Sequence, residues 1–116
     1  MSNESELVKR SRTSIVALVE LLGDPRGVMY IGEPSIESLH AFISGWFWAL
    51  NDRAVDQEVW DNFLEFVIKD YRNQPRSWKS VILFNSANSY DAYRNFFRYF
   101  ERSVEQLKST SPRQGL

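Results

Sequence analysis

The chain has 116 residues, of which 43% are apolar and 15% aromatic, and a formal net charge of −1. That length favours one domain with a real core, and that composition excludes a disordered chain. The near-neutral balance gives no global reason to expect nucleic acid or an anionic membrane as partner. The absence of cysteine excludes disulfides, thiolate metal sites and a cysteine nucleophile.

The first residues, MSNESELVKRSRT, are polar and of mixed charge, without the basic-then-apolar run of a secretory signal. The longest nearly apolar run, residues 41–50, falls short of the roughly 20 residues a membrane-spanning helix needs. The expected compartment is the cytoplasm.

Taken in chain order, Val8, Ile15, Leu18 and Leu22 recur at helical spacing and predict a first amphipathic helix over residues 5–22, stopped by Gly23. Asp24-Pro25-Arg26-Gly27 reads as a turn into a short extended segment near 28–31, closed by Gly32 and Pro34. Ser35 is a suitable N-cap for a second helix to about Leu50, with Glu37 in its first turn. One broad face of that helix carries Ile36, Leu39, Phe42, Ile43, Trp46, Phe47 and Leu50, which marks it as the core helix. Ala41, Gly45 and Ala49 form a small-residue stripe that either admits another backbone or faces solvent.

A third helix is predicted from Asp56 to about Tyr71, with Trp60, Phe63, Leu64, Val67 and Tyr71 inward, broken by Asn73-Gln74-Pro75. Ser77 caps a short run, residues 78–84, that suits helix or buried strand, with helix preferred. A last helix from Ser89 to about Lys108 turns Tyr93, Phe96, Phe97, Phe100, Val104 and Leu107 inward. The expectation is therefore a mostly α single-domain bundle of four to five helices over residues 1–108, with a flexible tail at 109–116.

Catalytic constellations are hard to assemble. The single histidine, His40, sits at the edge of an apolar helix face and reads as a packed residue rather than a base or ligand. A metal would have to rest on carboxylates alone, no serine lies in a nucleophile elbow, and the Asp61/Glu65 pair at i, i+4 reads as a solvated face. No enzyme activity, cofactor or metal is expected.

Charge is unevenly distributed: −2 over residues 1–49, −4 over 50–70 and +5 over 71–116. Glu58, Asp61 and Glu65 form an acidic stripe on the third helix, preceded by Asp52 and Asp56. Arg94, Arg98 and Arg102 form a basic stripe on the last. The stripes could be solvated faces or meet as surface ion pairs worth about 0–1 kcal/mol each. The sharper reading sets the acidic stripe against a basic partner such as a nuclease domain, where complementary charge speeds association and fixes orientation. Trp48 falls on the wheel away from the apolar face, where it packs in a second layer if helical neighbours cover that side; exposed there, it is instead a candidate interface anchor.

Two resemblances bear on these residues. Arg26-Gly27-Val28-Met29-Tyr30-Ile31-Gly32 is similar to a segment near the start of the type II topoisomerase ATPase domain. The helix that follows, however, carries Phe42, Trp46 and Trp48 in place of that family's catalytic Glu and Asp-Asn magnesium motif. Over residues 26–107 the chain resembles small bacterial proteins with a Met-Tyr-(Leu/Ile)-Gly-x-x-Ser-(Leu/Ile)-x-x-Leu-x-x-Phe-(Leu/Ile)-x-Gly-(Tyr/Trp) signature. Met29, Tyr30, Ile31, Gly32, Ser35, Ile36, Leu39, Phe42, Ile43, Gly45 and Trp46 carry the match. Some proteins of that kind resemble immunity proteins, and the resemblance implies a cytoplasmic antidote that binds and blocks a toxin, with no catalytic set. The expected role is thus a protein-binding module whose partner surface includes Asp52, Asp56, Glu58, Asp61, Glu65 and Trp48. A homo-oligomeric adaptor, a small-ligand domain and an RNA-binding regulator stand as alternatives.

Overall fold

The computed structural model describes residues 3–51, 53–69 and 77–110. Among these residues the chain is mostly helical, with seven helices: α1 (Asn3–Arg10), α2 (Ile15–Gly23), α3 (Val28–Ile31), α4 (Ile36–Ala49), α5 (Gln57–Ile68), α6 (Trp78–Phe84) and α7 (Ser89–Thr110). Tyr71 and the Asn73-Gln74-Pro75 break lie outside the described residues, as do residues 111–116.

The count exceeds the expected four to five helices for two local reasons. The predicted 5–22 helix is two helices, because Ser11 and Ser14 offer their hydroxyls to the backbone in competition with the helical ladder. Ser11 Oγ donates to the Val8 carbonyl at 2.7 Å, while Ser14 Oγ accepts from the Ala17 N–H at 3.1 Å and starts α2. The expected extended segment near 28–31 is instead the one-turn helix α3. Asp24 Oδ1 accepts the Arg26 N–H at 2.9 Å, setting a turn that passes directly into helical bonds. A Cβ at Gly27 would lie 2.0 Å from the Leu22 carbonyl oxygen, so only glycine admits this approach. Gly32, at φ +93°, ends the turn in the left-handed region.

Elsewhere the caps act as the sequence indicates. Ser35 and Ser77 accept from the Ser38 and Ser80 N–H groups, opening α4 and α6. Residues 78–84 are helical, with Trp78, Val81 and Ile82 buried.

The central layer is α5 against α7, with α4 and α6 closing one side and α2 packing on α5; α1 lies on α2 and α3 bridges α2 to α4. Ile36, Leu39, Ile43 and Phe47 of α4, Trp60, Phe63 and Val67 of α5, and Phe96 and Phe100 of α7 belong to one continuous core. Trp60 stacks on Phe63 at 4.9 Å and meets Trp78 edge-on at 5.7 Å, and Trp78 reaches Phe96 at 5.2 Å. Each such pair contributes about 0.5–1.5 kcal/mol beyond its buried area. The α5–α7 seam is also pinned by a polar contact. Asn62 Nδ2 donates to the Ser103 carbonyl at 2.9 Å, and the fully buried Ser103 hydroxyl donates back to the Phe100 carbonyl.

Ala41, Gly45 and Ala49 are exposed, so the small stripe of α4 faces solvent. Trp46 is half-buried; its indole N–H donates to the Ser11 carbonyl at 2.8 Å, fastening α4 to the α1–α2 link.

Candidate protein-binding surface

The helical period of α5 separates two kinds of side chain. Trp60, Phe63 and Val67 enter the core, and Glu58, Asp61 and Glu65 remain exposed. Asn62 faces α7, whereas Asp61 lines a groove of about 330 Å³ between α4, α5 and α6. The floor of that groove is aromatic, made by Phe47, Trp60 and Trp78, with Ser44 and Leu64 at its sides. Gln57 Nε2 donates to Asp61 Oδ1 at 3.2 Å, which orients the carboxylate.

Trp48 follows Ser44 by one helical turn, on the same side of α4, and 79% of its surface is exposed. Burying an indole elsewhere in the chain is routine, since Trp60 and Trp78 are 6% and 8% exposed. Trp48 therefore leaves a large apolar surface in water beside an acid-rimmed aromatic groove.

The other expected site residues divide. Asp56 is half-buried and turned inward: its Oδ1 accepts the Ile15 N–H at 2.8 Å, and its Oδ2 accepts the Ser14 hydroxyl at 2.8 Å and the Val16 N–H at 3.1 Å. A carboxylate at that helix N-terminus satisfies unpaired donors and the α2 dipole together. Asp52 lies outside the described residues. The acidic surface thus centres on Glu58, Asp61 and Glu65, with Trp48 nearby.

His40 is half-buried with its ring 5.1 Å from that of Trp78. Burial, and then the positive charge of Lys79, hold its pKa below the ordinary 6.5. Its surroundings favour a neutral packed imidazole.

The basic stripe does not face Asp61. Arg94 lies 5.9 Å from the Tyr90 ring centroid, and Arg98 donates to Asn95 Oδ1 at 3.3 Å. Ser44 and Gln57 are the groove residues that sequence reasoning missed, whereas Leu64, read as inward, lies at the groove's side. The available signal was spacing: Ser44 precedes Trp48 by four residues, and Gln57 precedes Asp61 by four.

No family model matches the chain, and no curated protein or solved structure is significantly similar to it. No helix among the described residues is long and apolar enough to cross a membrane.

Proposed function

We propose that this chain is a non-enzymatic protein-binding module that works as a cytoplasmic immunity protein, binding a bacterial toxin and blocking it by occlusion. The observation that supports this reading is the exposed Trp48 next to the Asp61-rimmed groove. Tryptophan dominates interface energetics because it buries a large rigid surface at low entropic cost. The groove has the chemistry for a basic side chain: an aliphatic stem lies on Phe47 and Trp60, and the cation meets Asp61 over the aromatic faces. Glu58 and Glu65 extend the negative field along α5, which favours encounter with a basic surface such as that of a nuclease domain.

Affinity capture of the tagged chain from its own host tests this directly. The expected outcome is stoichiometric recovery of one large toxin-bearing protein, lost when Asp61→Lys and Glu65→Lys are combined. Recovery of the chain alone, or of the same partner with the reversal variant, would sink the proposal.

A further inference from the structure

A second groove, of about 540 Å³, runs between α7 and the turns on either side of α3, and shares no lining residue with the first. Its α7 wall is aromatic. Tyr93 meets Phe97 edge-on at 5.3 Å, and Tyr90 lies nearly parallel to Tyr93 at 6.5 Å and 19°. The opposite wall carries Pro25 and Pro34, whose fixed φ makes it stiff.

Arg94 and Arg98 border this groove one helical turn apart, a rise of about 6 Å. Both guanidiniums are held from one side. Arg94 sits over the Tyr90 ring at 5.9 Å; Arg98 is fixed by Asn95, which itself donates to Ser86 Oγ at 2.9 Å and Asp91 Oδ2 at 3.4 Å. The carboxylate on the far wall, Asp24, is engaged by the Arg26 N–H at 2.9 Å and Nε at 3.6 Å. Burial, and then Tyr90, push the Tyr93 phenol above its ordinary range, so it remains a neutral donor.

We propose that this groove binds an aromatic phosphomonoester, with its ring against Tyr93 and Phe97 and its phosphate shared by Arg94 and Arg98. Guanidiniums suit phosphate because their N–H groups match its oxygens in pairs, and here two of them border one groove a helical turn apart. Aromatic walls supply stacking partners for any planar ring, and the volume is that of a small-ligand site. Neither element alone selects this ligand: the arginines without the rings take any phosphate, and the rings without the arginines take any apolar body. A free nucleoside monophosphate and a phosphotyrosine side chain share the required chemistry.

Two-dimensional amide NMR of the full chain, titrated separately with AMP, phenyl phosphate and orthophosphate, tests the site. The expected result is saturable shifts at residues 23–28 and 90–98 with a Kd below about 1 mM for AMP or phenyl phosphate. Orthophosphate should bind at least about ten-fold more weakly for want of the ring contacts, and Arg94→Gln with Arg98→Gln should weaken both ligands by about ten-fold or more. Tighter binding of AMP assigns the site to a nucleotide, and tighter binding of phenyl phosphate assigns it to a modified tyrosine. Absence of shifts at these residues, equal affinity for orthophosphate, or affinity retained in the double variant would overturn the proposal. Because both arginines are exposed, an unchanged spectrum away from the groove verifies that the variant is folded.

Discussion

The carboxylate of Asp56 accepts the Ser14 hydroxyl at 2.8 Å, joining positions 42 residues apart. Asp56 stands at the N-cap of its own helix, α5, yet caps α2 instead, while Ser14 caps α2 from the front. The Val55 N–H donates to the Thr13 carbonyl at 2.9 Å alongside it. The α4–α5 connection is therefore stitched to the α1–α2 link, and that stitch fixes where α5 begins and how its acidic face is presented.

The stitch makes a clear stability prediction. Asp56→Ala leaves the Ile15 and Val16 N–H groups without this acceptor and is expected to cost about 2–3 kcal/mol. Ser14→Ala is expected to cost about 1 kcal/mol. Because both act on one helix end, the double variant should lose less than the two losses combined, by about 0.5–1 kcal/mol. Urea unfolding of the four proteins measures this; additive losses would mean that the two groups act separately. Asp61→Lys, at an exposed position, should stay within about 0.5 kcal/mol of wild type.

Gly27, which precedes α3, and Gly45, within α4, should respond in opposite directions to the same substitution. Gly27→Ala puts a methyl group 2.0 Å from the Leu22 carbonyl oxygen, and backbone has to move; a loss of about 2 kcal/mol or more is expected. Gly45 has nothing within 4 Å of an added Cβ and lies inside a helix. Gly45→Ala should therefore gain about 0.5–1 kcal/mol. Thermal melts separate the pair, and a neutral Gly27→Ala would contradict the close approach.

These contrasts mark what was legible in the sequence. The caps Ser35 and Ser77 are local, a hydroxyl directly before an apolar helical run, and could be read from spacing. The break at Ser11–Ser14 was hidden because Val8 and Ile15 are seven residues apart, two helical turns, so the apolar period continues through the interruption. Residues 28–31 are too few to establish any period. Asp56 belongs to the acidic run by sequence, and only its partner across the fold removes it from the exposed stripe. Trp48 had two readings on the wheel, a second packing layer or solvent, and α4 turns that side outward. The arginine spacing was visible, but the proline wall opposite it comes from the two distant turns on either side of α3.

His40 gives the chain a pH response. Its folded pKa lies below the ordinary 6.5, so the unfolded chain takes up the proton first as the solution is acidified. Its contribution to stability is fully present above pH 6.5, falls as the pH drops below that value, and becomes constant once the folded pKa is passed. Urea midpoints between pH 7.5 and 5 should decline in the wild type and decline less in His40→Gln. As His40 is the single histidine, equal slopes would place this pH dependence elsewhere.

Trp48 and Trp78 distinguish binding from folding. Trp78 is 8% exposed and touches Trp60, Phe63, Phe96 and His40, so Trp78→Ala should lose about 3–5 kcal/mol. Trp48 is 79% exposed, and Trp48→Ala should leave the melting temperature close to wild type. On the proposed surface it should nevertheless weaken partner affinity by about 2 kcal/mol or more, roughly thirty-fold, because truncation removes the anchor next to the groove. Calorimetric titration with the captured partner, paired with thermal melts of the same samples, reads both effects. A Trp48→Ala variant that melts normally and binds normally would remove α4 from the interface and leave Glu58, Asp61 and Glu65 without an apolar anchor.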